Sequence, residues 1–428
     1  MGCKYPSKTL EEIASQKRLE LKLKTNCSFN IKKCKSILST LPKRTKTDLD
    51  SFKKIIKSKT NGLSKLEKAY ILFLYICQNL EYDTEVFFDQ KIVEYTPEEV
   101  FKNGITVCSG YCILYKDIAE YLSLEVEIVT CYAKGMRAEP NKKITNINHA
   151  YNIIKINNNW FPIDTTWAAG YVDTNKKFKK SLNEFYFFTN PEFLIRSHFP
   201  FNTKYQLTEK KYTLEEFSNW PNIEYNYFNY EFIKFLPENG FIELEEENFQ
   251  KFIIYGEKIY YIKANCEIYL YKNNGYNQEF NLFKINYFAD RIEFDCIFNK
   301  KGKYKIKLFA SYKKEKQFKG VLTYIVNVKK DSLIELKYPI YLADNRNINI
   351  IKPLYDKLKY GEKVRFIIES NLNSLIIVDD DKCYNLEKNE QRLFEKEITI
   401  HSIPGNNVII KEKKLFFDSN LVLFKVIV

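Results

Sequence analysis

Apolar residues recur at helical spacing as far as Leu122, then at strand spacing or in short continuous runs from Val126 onward, and this switch of period most constrains the fold. Ser64-Lys65-Leu66-Glu67 is a capping box, and Ala69, Leu72, Phe73, Ile76 and Leu80 follow it at helical spacing, which predicts a buried helix. Thr96-Pro97-Glu98-Glu99 marks a second helix start, with Pro at the first helical position and acids in the first turn, leading to a loop at Asn103-Gly104. A further helix is predicted from Ser109 to Leu122, with Cys112, Tyr115, Ile118, Ala119 and Leu122 on one face and Cys108 at its N-terminus. Val126 to Cys131, His149 to Ile156 and Trp160 to Ile163 then read as strands, the last two joined by a turn at Asn157-Asn158-Asn159. Helices followed by an antiparallel sheet imply an α+β fold.

After Trp220-Pro221 short strands rich in Tyr, Phe and Ile alternate with turns such as Asn273-Asn274-Gly275 and Lys300-Lys301-Gly302. At 428 residues the chain is too long for one ordinary core. The pattern predicts a Lys-rich N-terminal extension over residues 1–60 with one helix from Leu10 to Leu23, an α+β domain over 61–225, and two β-sandwich modules over 230–332 and 333–428. The boundary between the modules falls near Ser332 to Pro339.

Composition narrows the function classes. Hydrophobic residues make up 45% of the chain and aromatics 16%, far from the make-up of a disordered protein. The formal net charge of +13 is spread along the whole length, without the compact Arg-rich or glycine-aromatic motif that tracks a phosphate backbone, so nucleic acid is not an expected partner. Ten cysteines without regular spacing and without a signal peptide argue against a secreted disulfide framework and for a reducing, cytoplasmic setting. No apolar run approaches the ~20 residues of a membrane-spanning helix. Gly2 and Cys3 form a candidate acyl anchor for membrane association, although Pro6 stands where the acylation pattern wants Ser or Thr, which favours an unmodified terminus.

The chemistry is carried by three residues. A thiol must be activated to attack an amide, and a helix N-terminus and a neighbouring imidazole are two devices that do so; Cys108 has the first, and His149 offers the second. His149 begins one strand of the expected hairpin and Asp164 ends the other, so carboxylate and imidazole can meet. Nucleophile, base and orienter are thus Cys108, His149 and Asp164. The Cys108 backbone N–H is the natural first oxyanion donor, while the second is not assigned, with Gln78 and Tyr75 as candidates. Cys108, Cys112, Cys131 and His149 lack the paired spacing of a zinc site, so no metal or other cofactor is expected and Cys112 reads as core. His198 competes for the base role but reads as a structural, helix-end position, and His401 has no nearby partner.

Val107-Cys108-Ser109-Gly110-Tyr111, Asn148-His149-Ala150-Tyr151-Asn152 and Asp164-Thr165-Thr166-Trp167-Ala168-Ala169-Gly170 resemble the three catalytic blocks of the transglutaminase-like superfamily. Phe185 to Phe193, running on to His198-Phe199-Pro200, resembles the segment that follows the core in its kyphoscoliosis peptidase-like group. The resemblance implies a papain-like core followed by Ig-like modules, cysteine chemistry without a metal, catalytic roles for Cys108, His149 and Asp164, and a link to cytoskeleton or cell division. Tyr75 stands where that family often has Trp, and Thr165 where it usually has Pro. The expected activity is acyl transfer or hydrolysis on protein or peptide amides through an acyl-thioester at Cys108. The alternative is an inactive scaffold that binds protein partners, cytoskeletal ones included.

Overall fold

Four helices of the N-terminal half start where a side chain accepts a first-turn N–H group that has no partner inside the helix. In the computed structural model, which describes residues 27–428 apart from 90, 92, 136–137, 141, 143, 281, 334–336, 342–347, 354, 390–392, 414–418 and 428, these caps are explicit. Asn30 caps α1 (Ile31–Ser39) and Asp48 caps α2 (Leu49–Lys59). Ser64 and Glu67 close a reciprocal capping box on α3 (Lys65–Asn79). After β1 (Glu81–Tyr82) and α4 (Thr84–Asp89), Thr96 and Glu99 do the same for α5 (Pro97–Asn103), which ends at Gly104 with φ +72. The expected helix from Leu10 to Leu23 and the candidate anchor at Gly2 and Cys3 lie outside the described residues.

The stretch before α3 packs against it. Leu49, Phe52 and Ile56 of α2 are buried, and Phe52 stacks on Tyr75 of α3 with ring centroids 4.2 Å apart. Asn30 N–H donates to Glu67 Oε1, tying the chain before α1 to the capping box of α3. Three apolar positions at i, i+3 and i+7 are a short signal among lysines, which is why α2 did not stand out in the sequence.

β2 (Ile105–Thr106) pairs in parallel with β1 and leads directly into α6 (Cys108–Tyr121), whose first residue is Cys108. The sheet that follows has the order β5-β4-β3-β8, from β3 (Glu125–Ala133), β4 (His149–Ile156), β5 (Asn159–Ile163) and, further on, β8 (His198–Pro200). Between β5 and β8 come α7 (Thr165–Ala169), the small hairpin of β6 (Gly170–Val172) and β7 (Phe178–Lys180), and α8 (Pro191–Leu194). The β4–β5 hairpin turns on Asn157 and Asn158, both at positive φ (+47 and +66), which Asn tolerates better than most residues. Asn152 of β4, fully buried, donates to the Cys112 carbonyl at 3.2 Å and so fastens α6 to the sheet.

The described chain divides after Ser218 into two compact units, with Glu139 counted in the second. Helix and sheet are thus mixed in the first unit. The second is built mainly of strands. One buried cluster there joins a sheet ordered Phe232–Leu236, Phe249–Gly256, Arg291–Ile297, Phe283–Tyr287 to another that includes Ile262–Lys272, Gly302–Tyr312 and Lys319–Val328. Another cluster runs from Ile348 to Val426, with Phe366, Ile377, Ile410 and Phe424 at its centre. No helix among the described residues is long and apolar enough to cross a membrane.

Candidate active site

Cys108 is half-buried at the first position of α6, where no side chain caps the helix and Val107 precedes it in extended conformation. The orientation is forced by close packing: a Cβ on Gly110 would lie 1.8 Å from Thr106 Oγ1, so only glycine lets the helix tip sit on β2.

His149 and Asp164 meet across the hairpin. Asn152 pairs with Ile163, so extending the ladder by one step sets Asp164 opposite Tyr151, two positions from His149 on the same face. Imidazole and carboxylate span that diagonal, with His149 Nε2 2.7 Å from Asp164 Oδ2. Nδ1 is the ring nitrogen left for sulfur. The other oxygen, Asp164 Oδ1, accepts the Thr166 and Trp167 backbone N–H groups at 2.8 and 2.9 Å, because Asp164 is also the N-cap of α7.

The electrostatics follow from these contacts. Burial raises the Cys108 thiol, but the hydrogen bond to His149 and that ring's charge, helped by the Ala150 backbone N–H, outweigh burial and hold the thiol below its ordinary value. Burial likewise pushes His149 down, and Asp164 and Cys108 together overcome it and push the ring up to about 10. Asp164 is raised by burial yet held well below the usual carboxylate range by His149 and His198. A thiolate, an imidazolium and a carboxylate in series is the arrangement these directions describe. The neighbouring thiols of Cys77, Cys112 and Cys131 are buried and raised well above their ordinary value by that burial, so they stay un-ionised.

His198 does not sit at a helix end, as its sequence setting suggested; it opens β8 opposite Ala133 and is buried, with 1% exposure. Its Nε2 lies 3.0 Å from Asp164 Oδ2, the same oxygen that holds His149. Burial pushes its ring below the ordinary value rather than keeping it charged. Trp167 packs against both imidazoles, with centroids 4.3 Å from His198 and 5.6 Å from His149. His401 belongs to the second unit, where its backbone N–H donates to Asp379 Oδ2.

His149, Asp164 and His198 bring three potential metal-donor atoms within 4.8 Å of one another, the one such group among the described residues. Tetrahedral ligands at about 2.0–2.1 Å from zinc stand about 3.3 Å apart. The nitrogens here are 2.7 and 3.0 Å from one carboxylate oxygen, which are hydrogen-bond lengths, so the donors are engaged with each other.

Neither candidate for a second oxyanion donor fits. The Tyr75 hydroxyl donates to the Pro42 carbonyl at 3.0 Å, and Gln78 is exposed near the end of α3. Tyr82, a tyrosine after a helix, carries no mark of its own in the sequence; parallel pairing puts it in register with Thr106, whose side chain faces Gly110. Registered partners point to the same face, so Tyr82 is directed toward the tip of α6.

Residues 52–165 match the transglutaminase-like superfamily. This chain carries a transglutaminase-like domain. It is similar to the kyphoscoliosis peptidase of Mus musculus, 29% identical over 181 residues that make up 42% of this chain and 27% of that protein. Cytokinesis protein 3 of Schizosaccharomyces pombe is 24% identical over 174 residues, 40% of this chain and 19% of that one. The alignments thus span about a quarter or less of the length of these relatives. A titin Ig tandem, A164-A165, is 9% identical and covers 44% of this chain and 91% of its own, at a TM-score of 0.14, too low to bear on the arrangement of the strands. The transglutaminase-like match ends at residue 165, one position past Asp164, so it takes in Cys108, His149 and Asp164 and stops short of His198.

Proposed function

We propose that the transglutaminase-like domain performs cysteine-dependent acyl transfer on protein or peptide amides, with Cys108 as nucleophile, His149 as base and acid, and Asp164 as the group that holds His149. The observation that carries this reading is the buried His149–Asp164 hydrogen bond, with the half-buried Cys108 at the first turn of α6 held below its ordinary thiol value by that same imidazole. The thiolate attacks the amide carbon, forming the C–S bond as the carbonyl electrons move onto oxygen. Collapse breaks the C–N bond, and His149 gives its Nδ1 proton to the departing amine. Water or an amine then attacks the thioester carbon while His149 Nδ1 takes a proton from it, and collapse breaks the C–S bond to return the Cys108 thiolate, so hydrolysis and transamidation share the same acyl-enzyme.

The developing oxyanion would meet the Cys108 backbone N–H, which has no acceptor within its own helix, and the Tyr82 hydroxyl, to which no described residue hydrogen-bonds. Burial, then the charges of Cys108 and Asp164, raise the Tyr82 phenol, so it keeps its proton to donate.

Around this centre, the reading takes residues 61–225 as a papain-like catalytic domain after an N-terminal arm, with two Ig-like modules over 230–332 and 333–428. The two apolar clusters of the second unit support two modules, the first cluster reaching back to Ile223 and on to Tyr338. A cytoplasmic setting, with the modules holding a cytoskeletal partner, agrees with a relative named for cytokinesis.

Cys383, exposed in the second unit, provides an internal reference thiol. At pH 6 iodoacetamide should label Cys108 at least about tenfold faster than Cys383, because the His149 ring favours the Cys108 thiolate. His149→Ala should remove the advantage. Equal labelling of the two thiols in the unaltered protein would leave the scaffold reading in its place.

A further inference from the structure

Asp164 is shared. Its Oδ2 accepts from two imidazoles, His149 at 2.7 Å and His198 at 3.0 Å, while its Oδ1 is taken up by two backbone N–H groups. A buried carboxylate with four donors cannot rotate without losing one. An ionised carboxylate can only accept, so His198 must carry its proton on Nε2. A neutral ring then has a bare Nδ1, 2.8 Å from Ser197 Oγ, and accepts from that hydroxyl, although the Leu194 carbonyl beside the ring favours a protonated one. The 3.4 Å separation of Ser197 Oγ from the Leu194 carbonyl makes the imidazole its better partner.

The geometry points to His198 as a positioning residue: with Ser197 behind it, it locks the Asp164 carboxylate so that His149 presents Nδ1 to the Cys108 sulfur. This rests on the acyl-transfer reading for its purpose, though not for its hydrogen bonds. His198 itself exchanges no proton with substrate. Trp167, packed 4.3 Å from its ring, and the pairing of Ala133 with His198 hold it in place from two sides. The catalytic imidazole is therefore set by a chain of four side chains, Ser197, His198, Asp164 and His149, rather than by a carboxylate alone.

The sequence holds three histidines, so full-length protein labelled with 15N-histidine gives three ring spin systems, and single substitutions assign them. At pH 7 the expected result is His149 protonated at both nitrogens and His198 neutral with its proton on Nε2. His198→Phe keeps the ring volume but loses the donor, and should slow Cys108 alkylation by iodoacetamide about tenfold to a hundredfold, the range of one lost hydrogen bond to a charged group. His198→Gln, whose amide can still donate to Asp164, should restore most of that rate. If His198→Phe does not fold, Ser197→Ala decides: His198 should then populate both tautomers, with a smaller loss of rate. A His198 proton on Nδ1, or a folded His198→Phe or Ser197→Ala protein that alkylates as the parent does, overturns the inference. An unaltered protein with the expected tautomers but a sluggish Cys108 would overturn the acyl-transfer reading instead.

Discussion

An oxyanion formed at Cys108 would meet donors of two kinds, a backbone N–H at a helix tip and the phenol of Tyr82. They can be separated by reaction type. Alkylation by iodoacetamide displaces iodide at a CH2 carbon and develops no oxyanion, whereas acylation by p-nitrophenyl acetate does. Tyr82→Phe should therefore lower the acylation rate about a hundredfold, the size expected for one lost donor, and leave alkylation unchanged. Equal losses in both would mean that Tyr82 supports the thiol rather than the oxyanion. At this scale the contact of His149 with Asp164 could be read from sequence, because a two-residue Asn turn sets the register and the register sets the diagonal. His198 and Tyr82 could not. Each reaches the site through a pairing distant in sequence, Ala133 with His198 and Tyr82 with Thr106, and no local pattern encodes either.

At the scale of elements, the segments with strong end signals were the legible ones. Ser64 with Glu67 forms the expected capping box, and the helix expected to start at Thr96-Pro97 does so, with Glu99 closing a second box there. The helix at Leu49–Lys59 escaped notice because its apolar stripe becomes meaningful only against Tyr75 of another helix. Gly110 illustrates the same limit, as its role depends on how closely α6 approaches β2. An alanine there would meet buried Thr106, with Oγ1 at 1.8 Å and Cβ at 2.8 Å, and neither is the end of a flexible chain. Gly110→Ala should therefore destabilise the protein by ~1–3 kcal/mol, as overpacking commonly does. Because the strain falls two residues from Cys108, alkylation of that thiol should slow as well. Denaturant titration and a labelling time course test the two halves, and retention of both would mean that β2 yields without cost.

For the molecule as a whole, the buried ion pairs of the site make stability depend on pH in a direction that can be worked out. His149 stands near 6.5 when unfolded and is pushed up to about 10 in the fold, so it binds its proton more tightly when folded. The stability it contributes is fully present below about pH 6.5 and is lost as pH climbs through about 10. Asp164 acts in the opposite sense: its contribution is present above its unfolded value of 3.8 and is lost as pH falls toward its lower folded value. Other groups also titrate at high pH, Lys and Tyr foremost, and so the informative quantity is a difference. Two of the three tryptophans, Trp160 and Trp167, lie in the first unit and Trp220 in the second, so in a Trp220→Phe background tryptophan fluorescence probes the unfolding of the first unit. Cys108 titrates in the opposite sense, so the comparison is made without it: the denaturant midpoint of Cys108→Ala should fall more steeply between pH 7 and pH 10 than that of the Cys108→Ala, His149→Ala double variant, and the two curves should converge at the alkaline end. Parallel curves across that interval would mean that the ring is not held as a cation by Asp164, and the thiolate that depends on that cation would lose its support.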